Sequence, residues 1–458
     1  MASFLFLKYI SLALNAARSL ILAAALGPAS YGVLGTLVVA QQYMSYAALG
    51  MREGLTVRLA QPLGDVSAAQ VHSSALAWGL GVGLAVLGTI WAIDTFVHPL
   101  GAAWLWVGVI ALLSISNEIL ININRDQGRL PRVALLEIAY NLAPLACVLW
   151  FRRDVTVVMV LQSVTAGLLL SVGGYLVGLR GAGWRHVRRG LVARLLVLGV
   201  PLAIASFFST AVTSIYVFLA NAMHLGDQVG HIVFANSICA IVLFGSNMVA
   251  WAATSKSMKG LAAGSAGTAD GVRNQRLAGF FRLAVYASSL ALVSSKFVLA
   301  LAMPAYAGAE RYALLFCLLQ SYSLLLYVEL NFLAVQARST VVVLGYGAML
   351  GATLLVYLAV PGIALADLVT VGIAVSMLLG MACMAYCRRQ GLPIPAPRTH
   401  VASLAFPLLC ALTLRAAGPV AAGVLALGFL GWTWQSFRQS RPGGPGANRG
   451  GDDTPRRV

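Results

Sequence analysis

Residues 341–358 read VVVLGYGAMLGATLLVYL, eighteen consecutive positions without a charge. Apolar side chains fall on all sides of this run, and Leu195 to Ala205 is of the same kind. A barrel strand that faces lipid on one side and water on the other would alternate apolar and polar residues over about ten positions, so a β-barrel is excluded. Inside a bilayer every backbone N–H and C=O must find a partner within the protein, which leaves the α-helix for such runs.

A helix that crosses about 30 Å of hydrocarbon at 1.5 Å per residue needs about 20 mostly apolar residues. Fourteen stretches meet that requirement: 4–26, 31–50, 73–93, 103–124, 132–150, 156–179, 195–221, 229–253, 281–303, 311–334, 340–360, 363–386, 400–416 and 418–436. The expected fold class is therefore all-α, a polytopic membrane protein. Composition agrees, since 60% of the 458 residues are hydrophobic, 10% are charged and the mean hydropathy is +0.85. A soluble domain carries about 25% charged residues. The longest connection, 254–280, is rich in Gly, Ala, Ser and Arg and has the composition of a linker. Leu20 to Ala25 could pass for the end of a signal peptide, but Arg18 interrupts the apolar region and further spans follow at once.

The net charge of +17 invites a nucleic-acid reading until the charges are placed. Twenty-four Lys and Arg fall in the connections after even-numbered spans and in the C-terminal tail. Four, Arg152, Arg153, Arg311 and Arg415, fall on the other side, and three lie within spans. Positive residues collect on the cytoplasmic side of membrane proteins, so both ends are expected there, and no nucleic-acid partner is implied. Arg152 and Arg153 beside Asp154 are a local exception. The six cysteines lie in or at the edge of spans; Cys383 and Cys387 share a helical face, yet no histidine stands near, so they read as packing residues. No metal or cofactor is expected.

Two landmarks recur about 200 residues apart. The turn Leu26-Gly27-Pro28-Ala29-Ser30-Tyr31-Gly32 has a counterpart in Leu225-Gly226-Asp227-Gln228-Val229-Gly230, and Asn122, Gln127 and Arg129 match Asn331, Gln336 and Arg338 at a constant offset of 209. Both halves begin and end at the cytoplasm, so the repeats would be parallel. The first turn, Leu49-Gly50 leading to Arg58, and Gln127-Gly128-Arg129 carry a resemblance to the polysaccharide-biosynthesis flippases of the multidrug, oligosaccharidyl-lipid and polysaccharide exporter superfamily. The chain departs from that pattern at Ala48, where many members have Asp, and between Gly50 and Arg58, which are one residue further apart.

The resemblance implies two six-helix lobes, 1–194 and 195–386, around a cavity that opens to each side in turn. An accessory helix pair at 387–436 and a disordered basic cytoplasmic tail at 437–458 complete the expected organisation. The implied substrate is a polyprenyl-diphosphate-linked saccharide moved to the outer leaflet of a bacterial inner membrane. Membrane lipids, a polysaccharide polymerase and glycosyltransferases are the implied partners.

A diphosphate presents anionic oxygens, which Arg binds in a fork and Lys as a point charge. Charges inside a bilayer cost about 2.5–3.5 kcal/mol at mid-span, so each one is informative. Arg18 lies about 12 Å from the outer end of span 1, and Lys296 has a similar place in span 9. Each either snorkels outward or holds the diphosphate in the cavity. Lys8 reads as an interface anchor. Arg52, Arg58 and Lys256 lie just outside spans 2 and 8 and serve either first capture of the headgroup or attraction to anionic lipid. Glu118, Glu137 and Glu329 either couple transport to a cation or pair with Arg52, Arg58 or Arg129. Pro144, Pro201 and Pro407 interrupt spans, and Gly79 with Gly83 and Gly347 with Gly351 form GxxxG pairs that mark close helix contact. Three other functions compete: a cation-coupled multidrug exporter of the same superfamily, a membrane polymerase or glycosyltransferase, and a lipid-binding scaffold with no transport cycle. Against the exporter, span 1 offers Arg18 and no acid; against the enzyme, the outer connections are short.

Overall fold

A computed structural model describes residues 2–60, 66–151, 154–177, 186–226, 228–239, 303–320, 322, 339–389, 405–416, 418, 421, 422, 424, 425 and 428. Among the described residues there is no strand, and seven helices are long and apolar enough to cross a membrane. The chain is a multi-pass membrane protein. The count of fourteen spans extends beyond the described residues, because 281–302, most of 418–436 and parts of four other spans lie outside them. So do the linker 254–280, the tail 437–458, and the residues Lys256, Lys296 and Glu329.

The first helix, α1 (Ala2–Ser45), covers two of the expected spans in one element broken at Gly27, whose φ of 69° and ψ of 171° leave the helical region. Glycine takes a positive φ at little cost, and the following Pro28 removes a backbone donor where the helix restarts. Gly226, at the corresponding Leu-Gly of the second turn, also has a positive φ, 54°. After a short 3-10 turn, Tyr46–Ala48, the chain reverses local direction at Leu49 and Gly50 (φ 51° and 84°) and forms α2 (Met51–Ala60).

Helices α3 (Ala68–Phe96), α4 (Ala102–Asp126), α5 (Leu130–Phe151) and α6 (Val157–Leu176) follow. The start of α3 precedes the expected boundary at 73 because Ser67 and Gln70 form a reciprocal capping box. Thr156 caps α6 by accepting from the Met159 backbone N–H. In α3, a Cβ at Gly79 would meet Ile119 at 2.4 Å and one at Gly83 would meet Leu112 at 2.5 Å, so this GxxxG pair seats α4 closely. Gly347 and Gly351 differ, having nothing within 4 Å among the described residues.

The second half begins with α7 (Arg189–Ala222), followed by α8 over 228–239 and, after the 3-10 segment Pro304–Ala309, α9 over 310–320. Then come α10 (Ser339–Ala359), α11 (Leu365–Arg389) and the shorter α12 (Ala405–Ala416). Pro144 and Pro201 lie inside α5 and α7, and Pro407 lies within α12.

One seam joins the two halves over a long distance. Residues 28–45 of α1 and then α2 run antiparallel to α7: Asn221 donates to Thr36 at 3.0 Å, Tyr43 meets Ser214 at 3.0 Å, and Tyr46 meets Thr210 at 2.6 Å. Where the seam reaches α2, Gly50 and Gly54 let the backbones touch; a Cβ at Gly199 would lie 1.8 Å from the Gly50 oxygen. The start of α8 packs on the same stretch of α1, with Gly230 against Pro28 and Val233 against Gly35.

Candidate substrate cavity

Between these helix sets lies a cavity of about 960 Å³, walled by α1, α2, α4, α5 and α6 on one side and by α7, α8 and α9 on the other. That volume is at the upper end for small-molecule sites, about 300–1,000 Å³. One end carries Tyr31, packed edge-on against Phe234 and Tyr306. Tyr306 donates to the Ala23 carbonyl at 2.9 Å, which ties the 3-10 segment to α1 just before its break. The other end carries Lys8, Arg52, Glu53, Glu118, Arg125 and Glu137.

Arg18 lines the cavity from α1. Its Nη2 donates to Asn15 Oδ1 at 2.8 Å, one helical turn earlier, and its guanidinium carbon lies 5.2 Å from the centre of the Tyr140 ring on α5. The ring face attracts the cation and holds its plane. Arg18 belongs to no ion pair among the described residues, and its Nη1 is buried without a hydrogen-bond partner. A buried guanidinium N–H left without an acceptor costs free energy, so Nη1 is a donor with unmet hydrogen-bonding capacity.

Other cavity charges are matched. Lys8 pairs with Glu137, both largely buried, so Lys8 lines the cavity instead of anchoring at the interface. Arg52 pairs with Glu118 at 3.1 Å and with Glu53 at 3.2 Å, and Glu118 holds its pKa above the ordinary arginine value. Burial raises the Glu53 carboxyl above its usual range, with Arg52 offsetting part of the rise. Arg58 is not among the lining residues. Its guanidinium is held at 3.4 Å by Asp126, which also bonds His72 at 2.9 Å, so it locks α2, α3 and α4 together.

The structure thus brings Arg18, Arg52, Glu118 and Glu137 to one cavity and places Arg58 in a packing triad. Lys256, Lys296 and Glu329 lie outside the described residues, and Cys383 and Cys387 fall in α11 with side chains outside them. Sequence reasoning missed Tyr140, Gln320 and the role of Lys8. A Tyr or Gln within an apolar span carries no local signal, and Lys8 finds Glu137 only across 129 residues of chain.

No protein-family model matches the chain, and no curated protein matches it. Solved structures do. The lipid II flippase MurJ in its inward closed conformation superposes with a TM-score of 0.68 at 8% identity, covering 96% of this chain and 100% of that one. An inward-facing multidrug resistance MATE family transporter of the MOP superfamily gives 0.54 at 14% identity, over 83% and 94%. A MATE protein in the bent conformation gives 0.54 at 14%, over 85% and 93%. At such identities the likeness is one of fold, and it is a fold of membrane transporters.

Proposed function

We propose that this protein is a flippase that moves a polyprenyl-diphosphate-linked saccharide from the cytoplasmic to the outer leaflet of a bacterial inner membrane, with both chain ends in the cytoplasm. The observation that carries the reading is Arg18, which among the described residues belongs to no ion pair and lines a cavity whose Glu residues already have cations. Its free N–H groups suit the oxygens of a diphosphate, and Asn15 and Tyr140 set its orientation in advance. Lys296, from the second repeat, is the proposed partner of Arg18, and Lys256 the proposed cytoplasmic cation that attracts the same headgroup; Arg52 and Arg58 are neutralised by Glu53, Glu118 and Asp126.

Alternating access would proceed by rocking of two lobes, 1–194 and 195–386, with 387–436 as an accessory pair. With the cytoplasm negative, each negative charge leaving it gains about 2.3 kcal/mol per 100 mV, so the diphosphate moves with the field. The polymerase and glycosyltransferases of a surface-polysaccharide system are the proposed neighbours.

A second reading, a cation-coupled multidrug exporter, has Glu53, Glu118 and Glu137 in the cavity wall in its favour. Reconstitution separates the two. In proteoliposomes bearing a fluorescent polyprenyl-diphosphate saccharide, the flippase reading expects protein-dependent loss of inner-leaflet label that Arg18→Ala abolishes. Cation-driven efflux of a drug with no movement of the lipid would establish the exporter instead.

A further inference from the structure

At the end of the cavity that carries Tyr31, residues 28–35 of α1 meet the start of α8 at backbone distance. Gly32 and Gly230 close the two repeat turns and touch each other: a Cβ on Gly32 would stand 2.8 Å from the Gly230 nitrogen, and one on Gly230 would stand 1.8 Å from the Pro28 oxygen. Small residues at both positions let the two helices approach this closely. The first repeat and the second therefore join here in a seam.

Tyr31 stands beside that contact and serves two places at once. Its ring belongs to the seam, edge-on to Phe234 and to Tyr306 with 6.2 Å between ring centres in each case. Its hydroxyl belongs to the cavity, because Tyr31 lines the same space as Arg18 and its oxygen lies within electrostatic reach of the Arg18 charge. That hydroxyl donates to Ser237 Oγ on α8 over 3.4 Å, which is long for an O–H···O bond, usually about 2.7–2.8 Å. Ser237 has a second bond of its own, donating to the Val233 carbonyl at 2.8 Å. Next to it, Gln320 Nε2 on α9 donates to Asn236 Oδ1, which braces α8 from behind. Ser237 thus keeps its place and one hydrogen bond when Tyr31 turns away.

These strengths favour an exchange. A phenol O–H donated to a phosphate oxygen makes a charge-assisted bond, roughly twice as strong as a neutral one. An anion seated on Arg18 Nη1 competes well for a proton that Ser237 holds at long range. Taking that proton removes the hydrogen bond that ties Tyr31 to α8.

We propose that Tyr31 is a second donor to the diphosphate beside Arg18, and that its transfer from Ser237 to the phosphate loosens the seam between the repeats. The proposal rests on the flippase reading and adds to it how a bound headgroup acts on the contact that must part for release. It also makes parting conditional on an anion at Arg18, since without one the hydroxyl stays with Ser237.

The test uses the full-length protein in nanodiscs, with polyprenyl diphosphate and uncharged polyprenol as probes. Two quantities are read: Kd, and hydrogen–deuterium exchange over residues 28–37 and 228–237. In the wild type, polyprenyl diphosphate should raise exchange over both segments and polyprenol should not. Tyr31→Phe keeps the ring and removes the donor, so Kd for polyprenyl diphosphate should rise about tenfold, as one charge-assisted bond set against one weak neutral bond implies. Exchange in that variant should not respond even at saturating lipid. Ser237→Ala removes only the acceptor, so it should raise exchange before lipid is added and leave Kd unchanged or lower. If Tyr31→Phe does not fold, Ser237→Ala carries the test alone, and weakened binding in it overturns the proposal. Equal weakening by both variants marks a purely structural seam and also overturns it, as does wild-type exchange that polyprenyl diphosphate leaves unchanged. Those results leave the flippase reading standing; failure of the wild type to bind polyprenyl diphosphate removes both.

Discussion

Replacement of Arg18 by Lys keeps the positive charge and most of the length, so it isolates what the guanidinium fork contributes. In the wild type, Nη2 is engaged by Asn15 at 2.8 Å, Nη1 is free, and Tyr140 braces the plane. A lysine ammonium reaches the diphosphate as a point charge but cannot hold Asn15 and present a second, coplanar donor together. The variant therefore loses one charge-assisted hydrogen bond, worth about 1.5–3 kcal/mol, or roughly a 10- to 150-fold rise in Kd. Lysine retains part of the attraction to the Tyr140 face, which places the expected result toward the lower end of that range. Titration of polyprenyl diphosphate into nanodisc-embedded protein, at two salt concentrations, measures it. The salt dependence should persist in Arg18→Lys and diminish in Arg18→Ala. Binding by Arg18→Lys and Arg18→Ala equal to the wild type would refute the reasoning, since it would show that the buried Nη1 meets no anion.

Further expectations concern the frame around that site. Lys8→Ala and Glu137→Ala should each destabilise the protein by about 1–3 kcal/mol, below the usual figure for a sealed pair because both line a cavity, while the double variant loses less than the two combined; melting of the purified variants forms the cycle. Gly199→Ala should cost about 1–3 kcal/mol, because its Cβ would lie 1.8 Å from the Gly50 backbone oxygen, whereas Gly347→Ala, within α10 and with nothing within 4 Å among the described residues, should gain about 0.5–1 kcal/mol by helix propensity; melting temperatures separate the two. Glu53 has a carboxyl raised by burial, so its contribution to stability is full below the ordinary carboxylate pKa and is lost as pH rises through its raised value; Glu53→Gln should flatten that fall in a pH series of melting curves.

The apolar runs were legible because hydropathy is a local property: the helices 339–359 and 365–389 fall within a few residues of the stretches expected at 340–360 and 363–386. Turn chemistry was legible for the same reason, and the Leu-Gly of both repeat turns places glycine at positive φ, at Gly27 and Gly226. Helix α2 was read as a connection, since its Arg and Glu lower its hydropathy; its order comes from Gly50 and Gly54 lying on α7, a contact that only the spacing of two small residues hinted at. The acids show the same limit. Glu118 took one of its expected partners, Arg52, whereas Glu137 took Lys8, which no local pattern links to it. Asn236 and Gln320 are 84 residues apart, and nothing in either neighbourhood marks the pair. Local periodicity builds the helices, and the choice of which polar groups meet belongs to packing across the seam.

The most direct test of the account is leaflet exchange of a fluorescent polyprenyl-diphosphate saccharide in proteoliposomes that contain this protein alone. The account predicts protein-dependent exchange, faster with the interior negative on the cytoplasmic side, abolished by Arg18→Ala and reduced but present in Arg18→Lys. Exchange at the protein-free rate by wild-type protein of normal melting behaviour, or exchange that Arg18→Ala leaves intact, would contradict it.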